Sequence, residues 1–113
     1  MKEIKATIQP HMLSKVVRAL HELPHFPGMT VVKCLGSGRG RGRGGAYVQT
    51  EEEIELHSKE RIEIVCSDEL VDVIVATIVA NAQTGNPGDG IITISEVLFT
   101  VRIRTGETGT QAV

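Results

Sequence analysis

The chain has 113 residues, about the length of one small domain, and 41% of them are hydrophobic and 23% charged, as in an ordinary globular protein. The formal net charge of −2 argues against a wholly basic nucleic-acid-binding protein, and the 3% aromatic content predicts an aliphatic core. The N-terminus has no apolar signal segment and no stretch approaches the ~20 apolar residues of a membrane helix, so we expect a cytoplasmic protein without direct membrane insertion.

The first part of the chain predicts a strand, a helix and a second strand. In EIKATIQ the apolar residues alternate with polar ones, as in a half-buried strand. In HMLSKVVRALHEL they recur at helical spacing, and the prolines of PHFPG end the helix. The β-branched run MTVVKCL predicts the second strand. Cys34 and Cys66 fall in apolar runs, and we expect both to be reduced core residues.

The second part of the chain repeats this order and adds one strand. RIEIVC predicts the third strand, and Ser67 is a suitable N-cap for the helix ELVDVIVATIVANA. The turn-rich QTGNPGDG separates this helix from the fourth strand, IITISEV. FTVRIR predicts a final strand with its apolar residues on one face and Arg102 and Arg104 on the other.

This order of elements indicates an α+β fold of the ferredoxin-like type, in which two βαβ halves form an antiparallel sheet with both helices on one face. We predict a single domain over residues 1–113, with an extra C-terminal strand, a long loop at about 37–59 and a flexible tail at about 105–113. IITI and MTVVKCL carry apolar residues at both alternating positions, so we expect oligomerisation to bury the second sheet face.

Three stretches have features of an anion-binding site. Residues 36–39 (GSGR) and 84–90 (TGNPGDG) offer backbone N–H groups, because glycine allows a close approach to an anion. Arg102 and Arg104 would lie about 7 Å apart on one strand face, which suits a polyphosphate. There is no P-loop motif, and a plain turn or a solvated strand face explains each stretch taken alone. Together, however, they suggest a nucleotide.

The chain resembles the PII signal-transduction proteins over nearly its whole length. The resemblance rests on FPGMTV, GSGR, KERIEIV, AQTGNPGDG and VRIRTGE in this order and spacing. It implies a regulatory protein rather than an enzyme, built as a homotrimer whose sheets form a barrel. It further implies that ATP, ADP or AMP binds in the clefts between subunits, and that the long loop is a T-loop that reaches a partner protein.

The resemblance also implies roles for particular residues, none of them catalytic or metal-binding. The implied nucleotide-binding residues are Gly28, Met29, Thr30, Gly36, Gly38, Arg39, Val65, Gly88, Asp89, Gly90, Arg102 and Arg104. Those expected to contact the partner protein through the T-loop are Arg41, Arg43, Tyr47, Glu51 and Glu52.

The sequence departs from the PII pattern at three positions. Gly40 replaces the glutamine that helps to hold magnesium and 2-oxoglutarate, and Ile91 replaces a lysine that contacts phosphate. Glu52 aligns with the tyrosine that is usually modified, and a glutamate cannot be uridylylated. We therefore expect a weak or reversed preference for ATP, little contribution from 2-oxoglutarate and no tyrosine switch.

Two other functions stay open. A PII-like regulator of a heavy-metal efflux system, with a membrane transporter as its partner, would suit a chain with four histidines, but Pro24 separates His21 from His25. An RNA-binding module would suit the Arg-Gly repeats. The strands lack the stacking aromatic residues of such modules, so we expect no nucleic-acid partner.

Overall fold

The computed structural model of the protein describes residues 1–38 and 54–113, apart from the side chains of residues 110 and 111. The described residues form four strands and two helices. In chain order these are β1 (Lys2–Ile8), α1 (Leu13–His21), β2 (Thr30–Gly36), β3 (His57–Cys66), α2 (Val71–Ala82) and β4 (Gly90–Glu96). Short 3₁₀ turns precede the helices at Pro10–Met12 and Asp68–Leu70, and another lies at Gly109–Ala112.

The four strands form one antiparallel sheet in the order β2-β3-β1-β4. Strand β1 pairs with β3 on one side and with β4 on the other, which places Ile4 opposite both Ile64 and Ile94. The two central strands are thus the first strands of the two βαβ halves, as in a ferredoxin-like sheet. The predicted α+β fold class is confirmed.

The core lies between the two helices and one face of the sheet. Side chains alternate along a strand, so each of the central strands turns every second residue towards the helices. The buried core residues are Ile4, Ala6, Ile8, Val16, Leu20, Ile62, Ile64, Cys66, Ile74, Ile78 and Ala82. The alternation predicted for β1 and the helical spacing predicted for α1 are therefore confirmed, and β3 and α2 form where a strand and a helix were predicted.

The opposite face of the sheet, here called the open face, is mostly polar. The strand registers place Glu3, Lys5, Arg61 and Glu63 on it. The Arg61 Nε atom donates to the Glu63 carboxylate at 3.1 Å, and the Lys5 ammonium lies 3.6 Å from the Glu3 carboxylate. Apolar residues of the edge strands also lie on this face, namely Val32 and Cys34 of β2 and Ile91 of β4, as predicted for these two strands. Burial of this face by oligomerisation stays a prediction.

The predicted C-terminal strand is reduced to one isolated bridge between Val101 and Thr108. The Gly106 N–H donates to the Arg102 carbonyl at 2.7 Å, and this turn folds the tail back on the segment before it. A strand forms only where a neighbour supplies a ladder of hydrogen bonds, and here the segment meets its own tail instead of the sheet. The predicted flexibility of the tail stays a prediction.

The start of α2 and the two cysteines differ in detail from the sequence predictions. Ser67 precedes the 3₁₀ turn but makes no side-chain capping bond, and Asp68 pairs with the N-terminal amine at 3.0 Å. Hydrogen bonds from this amine and from Lys2 lower the pKa of Asp68. Burial raises the pKa of the Cys66 thiol, whereas Cys34 is only half-buried because edge strand β2 places it on the open face. Within the described residues, neither helix is long and apolar enough to span a bilayer.

Candidate functional site

The predicted nucleotide-binding residues form two groups at opposite ends of the open face. The first, here called the cavity group, consists of Gly28, Met29, Thr30, Val65 and Arg102. The second, here called the turn group, consists of Gly36 and Gly88, which lie beside Lys59, together with Asp89 and Gly90, which follow Gly88 in the same turn. Strand β3 connects the two ends, and from Lys59 to Val65 the strand rises by about 20 Å.

The cavity group lines a cavity of about 550 Å³. Its floor comes from three strand ends, because Thr30 of β2 pairs with Glu63 of β3 and Glu3 of β1 pairs with Val65 of β3. Gly28 enters this region with a φ of +105°, a conformation that favours glycine. The structure thus brings together five residues that the sequence places in three separate motifs.

The chemistry of this cavity suits a small polar molecule with an apolar part. Val65 and Met29 offer apolar surface, the Glu3 and Glu63 carboxylates accept hydrogen bonds, and Arg102 supplies a positive charge. The volume is in the usual range for a small-molecule site. Sequence reasoning missed Glu3, which only the strand register brings to the cavity, and the contribution of the C-terminal residues Ala112 and Val113.

Two arginines predicted to share a strand face lie in different surroundings. The Arg102 backbone N–H donates to the Glu107 carbonyl at 2.8 Å, and its guanidinium lies 3.6 Å from the Glu107 carboxylate. These contacts hold Arg102 at the edge of the cavity. Arg104 lies in the following turn with an exposed side chain and is not one of the described residues that line the cavity.

The turn from Thr84 to Gly90 is organised by the Asp89 carboxylate. One of its oxygens accepts hydrogen bonds from the backbone N–H groups of Thr84, at 2.7 Å, and Gly85, at 2.9 Å. The other oxygen accepts a hydrogen bond from the Thr84 hydroxyl. The Thr84 hydroxyl and then the backbone N–H groups lower the pKa of Asp89. Because both oxygens bind within the turn, Asp89 shapes the turn in this chain.

The turn rests on the end of β1 and on Lys59. The Lys59 ammonium donates to the Gly88 carbonyl at 2.9 Å, and a side chain at Gly36 would come within 3.5 Å of the Lys59 stem. Gly90 has a φ of +117°, and a Cβ atom there would lie only 1.8 Å from the Thr7 carbonyl oxygen. A glycine is therefore required at this position. The turn combines exposed backbone with a lysine charge, which is a suitable environment for an anion.

The remaining predicted residues have no described role in either group. Gly38 is described, but a Cβ atom there would meet nothing within 4 Å. Within residues 1–38 and 54–113, no group of three or more His, Cys, Asp or Glu side chains could hold a metal ion. The predicted residues that lie outside the described part of the chain are Arg39, Arg41, Arg43, Tyr47, Glu51 and Glu52, of which Glu52 is also a departure from the PII pattern, together with the departure Gly40.

The chain matches the family model described as Nitrogen regulatory protein P-II over residues 1–107. It is 50% identical to Nitrogen regulatory protein P-II 2 of Methanothermobacter thermautotrophicus, over 100% of this chain and 97% of that protein. It is 44% identical to Nitrogen regulatory protein P-II of Microchaete diplosiphon and 42% identical to that of Klebsiella oxytoca, each over 100% of both chains. The predicted resemblance is confirmed, and the chain belongs to the P-II nitrogen regulatory protein family.

Proposed function

We propose that this protein is a regulator that binds adenine nucleotides in the clefts of a homotrimer and signals the bound state to a partner protein through its T-loop. The observation that carries this proposal is the separation of the cavity group from the turn group by about 20 Å of strand β3. Each group is half of a nucleotide site, and a neighbouring subunit can bring its turn to the cavity of this one.

The two half-sites suit different parts of a nucleotide. The cavity has apolar residues and carboxylates for a base and a ribose, with Arg102 at its edge for phosphate. The turn offers the Lys59 ammonium and exposed glycine backbone for the phosphates, whereas the Thr84 and Gly85 N–H groups already donate to Asp89. Ile91, which follows the turn, is 67% exposed and supplies no charge. We therefore expect ATP to bind no more tightly than ADP or AMP.

Exposed apolar residues support the trimer. Leu98 and Ile103, on either side of the Val101 bridge, are 95% and 99% exposed, and Phe99 is also exposed. Such a concentration of large apolar side chains on a surface marks an interaction site. We expect this segment to pack against a neighbouring copy, and light scattering after size exclusion should give three times the mass of the chain. A stable monomer at micromolar concentration would contradict this.

The names of the relatives support a role in nitrogen regulation. A bound nucleotide can change the T-loop only if it binds two loop conformations with different affinity. The partner is a protein, and a membrane transporter is one candidate. Gly40 cannot supply a side-chain ligand to magnesium, so 2-oxoglutarate is not expected to strengthen Mg-ATP binding substantially.

The ligand is tested by calorimetric titration of the full chain with ATP, ADP and AMP, each with and without 2-oxoglutarate and magnesium. We expect binding of adenine nucleotides and less than a tenfold tightening of Mg-ATP by 2-oxoglutarate, a coupling below about 1.4 kcal/mol. Absence of binding by all three nucleotides overturns the proposed ligand class. A larger coupling overturns only the part that concerns 2-oxoglutarate.

The position of the site between subunits is tested by mixing two defective variants. Arg102→Ala removes a cavity-group residue, and Lys59→Met removes the cation of the turn. Trimers that contain both variants have clefts in which an intact cavity faces an intact turn, so refolding the two chains together should restore nucleotide binding in those clefts. If both groups acted within one chain, the mixture would bind no better than either variant alone.

A further inference from the structure

A second cavity, of about 350 Å³, lies at the strand ends beside the T-loop positions and contains a buried carboxylate. It is lined by Ser58, Lys59 and Glu60 of β3, Lys33, Cys34 and Leu35 of β2, and Pro10, so that Lys59 lies between this cavity and the turn group. Glu60 is only 8% exposed, and no described donor reaches its buried Oε2 atom. Burial of a carboxylate oxygen without a donor is costly, so this atom requires a partner.

This carboxylate does not belong to the candidate nucleotide site. Neighbouring residues of a strand point to opposite faces, so Glu60 points to the helix side whereas Lys59 points to the open face and binds Gly88. Glu60 pairs with Ile8 in the ladder, which places it at the edge of the core beneath Pro10. The nucleotide proposal therefore leaves the charge of Glu60 without a use.

The charges around the cavity indicate what kind of molecule it would take. Lys33 lies directly opposite Glu60 in the β2–β3 ladder, with their Cβ atoms about 5 Å apart. Lys33 is exposed and, like the other donors in the described part of the chain, does not reach the Glu60 Oε2 atom. The cavity thus has a carboxylate at its base and an ammonium at its rim. The Lys33 ammonium would repel a bare cation. A molecule with an ammonium and a carboxylate would instead complement the Glu60 carboxylate and the Lys33 ammonium.

We propose that this cavity binds a small zwitterion, a free α-amino acid, whose ammonium donates to Glu60 and whose carboxylate is held by Lys33. Leu35 and Pro10 offer apolar surface to part of its side chain, and the Ser58 hydroxyl offers a further hydrogen bond. The inference goes beyond the proposed function because it requires no nucleotide. The strand ends that form the cavity also flank the T-loop, so this ligand would bind at the base of that loop.

The experiment is calorimetry and thermal melting of the full chain with each of the twenty amino acids at millimolar concentration. Acetate and methylamine are the matched probes that carry only one of the two charges. We expect at least one amino acid to bind and to raise the melting temperature, and neither single-charge probe to do so. If no amino acid binds, the proposal is overturned, and Lys33 itself then serves as the partner of Glu60.

Variants identify the site. Glu60→Leu and Lys33→Met should each weaken amino-acid binding by roughly tenfold or more, the size expected for a charge-assisted hydrogen bond. Glu22 is exposed, and Glu22→Gln should leave amino-acid binding unchanged. Lys33 is exposed, so its variant is expected to fold even if Glu60→Leu does not. If Lys33→Met binds amino acids as tightly as the wild type, the proposal is overturned. The nucleotide affinity of Lys33→Met should equal that of the wild type, so a loss of amino-acid binding can be told apart from a failure of the proposed function.

Discussion

The two ends of the open face differ in how firmly their own residues hold them. The turn from Thr84 to Gly90 is closed by Asp89 and fastened to β3 by Lys59. The segment from Leu98 to Ile103 is joined to its own tail, by the Val101 bridge and by hydrogen bonds of Thr100 and Arg102, and exposes its large apolar residues. One half of the candidate site is therefore formed within a single chain, whereas the other is expected to gain its final packing from a neighbour.

The largest effect should come from breaking the contact of the turn with β1. In Gly90→Ala the new Cβ atom would lie 1.8 Å from the Thr7 carbonyl oxygen, at a φ of +117°. Backbone must move to relieve this clash, so we expect the free energy of unfolding to fall by about 3 kcal/mol or more. Chemical denaturation of the purified variant measures it.

Gly85→Ala is the matched control for this substitution. Gly85 also has a positive φ, of 86°, but a Cβ atom there would meet nothing within 4 Å. Only the backbone strain remains, and we expect the free energy of unfolding to fall by about 1 kcal/mol. If both variants lost the same free energy of unfolding, the Gly90 backbone would not lie in close contact with the Thr7 carbonyl oxygen.

Removal of the arginine at the cavity should weaken nucleotide binding without unfolding the protein. A charge-assisted hydrogen bond contributes about 1.5–3 kcal/mol, so Arg102→Ala should raise the dissociation constant of an adenine nucleotide by roughly ten- to a hundredfold. Calorimetry gives the constant, and Arg18→Ala on the exposed side of α1 is the control. An unchanged constant for Arg102→Ala would exclude Arg102 from the site.

Loss of the charge that closes the turn should have a smaller effect on the nucleotide. Asp89→Asn keeps the shape of the side chain but replaces an acceptor oxygen by a donor, which disrupts bonds to Thr84 and Gly85. We expect about tenfold weaker nucleotide binding, since the backbone N–H groups of the turn lose their orientation. Asp72→Asn on α2 is the control. Equal affinities in the two variants would show that the turn does not depend on Asp89.

Acid should weaken the turn through the protonation of Asp89. The pKa of Asp89 is lowered in the folded chain, so its stabilising contribution is present above its ordinary pKa near 4 and is lost as the pH falls through the folded value. Melting temperatures of the wild type and Asp89→Asn should therefore converge on acidification below about pH 4. Hydrogen bonds also lower the pKa of Asp68 and Glu69, so only the difference between the two proteins reports on Asp89. A difference that does not change with pH would contradict this.

Much of the fold and part of the site follow from the sequence. The alternation in β1 and β3 and the helical spacing in α1 and α2 predict which residues are buried, because each pattern reflects the geometry of a single element. The motifs of the PII resemblance identify Gly28, Val65 and Arg102, which the structure brings to one cavity. The T-loop residues lie outside the described part of the chain, so their roles stay predictions.

The sequence by itself determined the elements, their order and the family, because these depend on local periodicity and on motifs in the chain. Only the tertiary structure decided the polar character of the open face, the separation of Arg102 from Arg104 and the burial of Glu60. In the printed sequence Glu60 is one polar residue among several in HSKERIE. Its burial arises from strand register and from the covering Pro10 turn, which are contacts between residues distant in the chain and leave no local pattern.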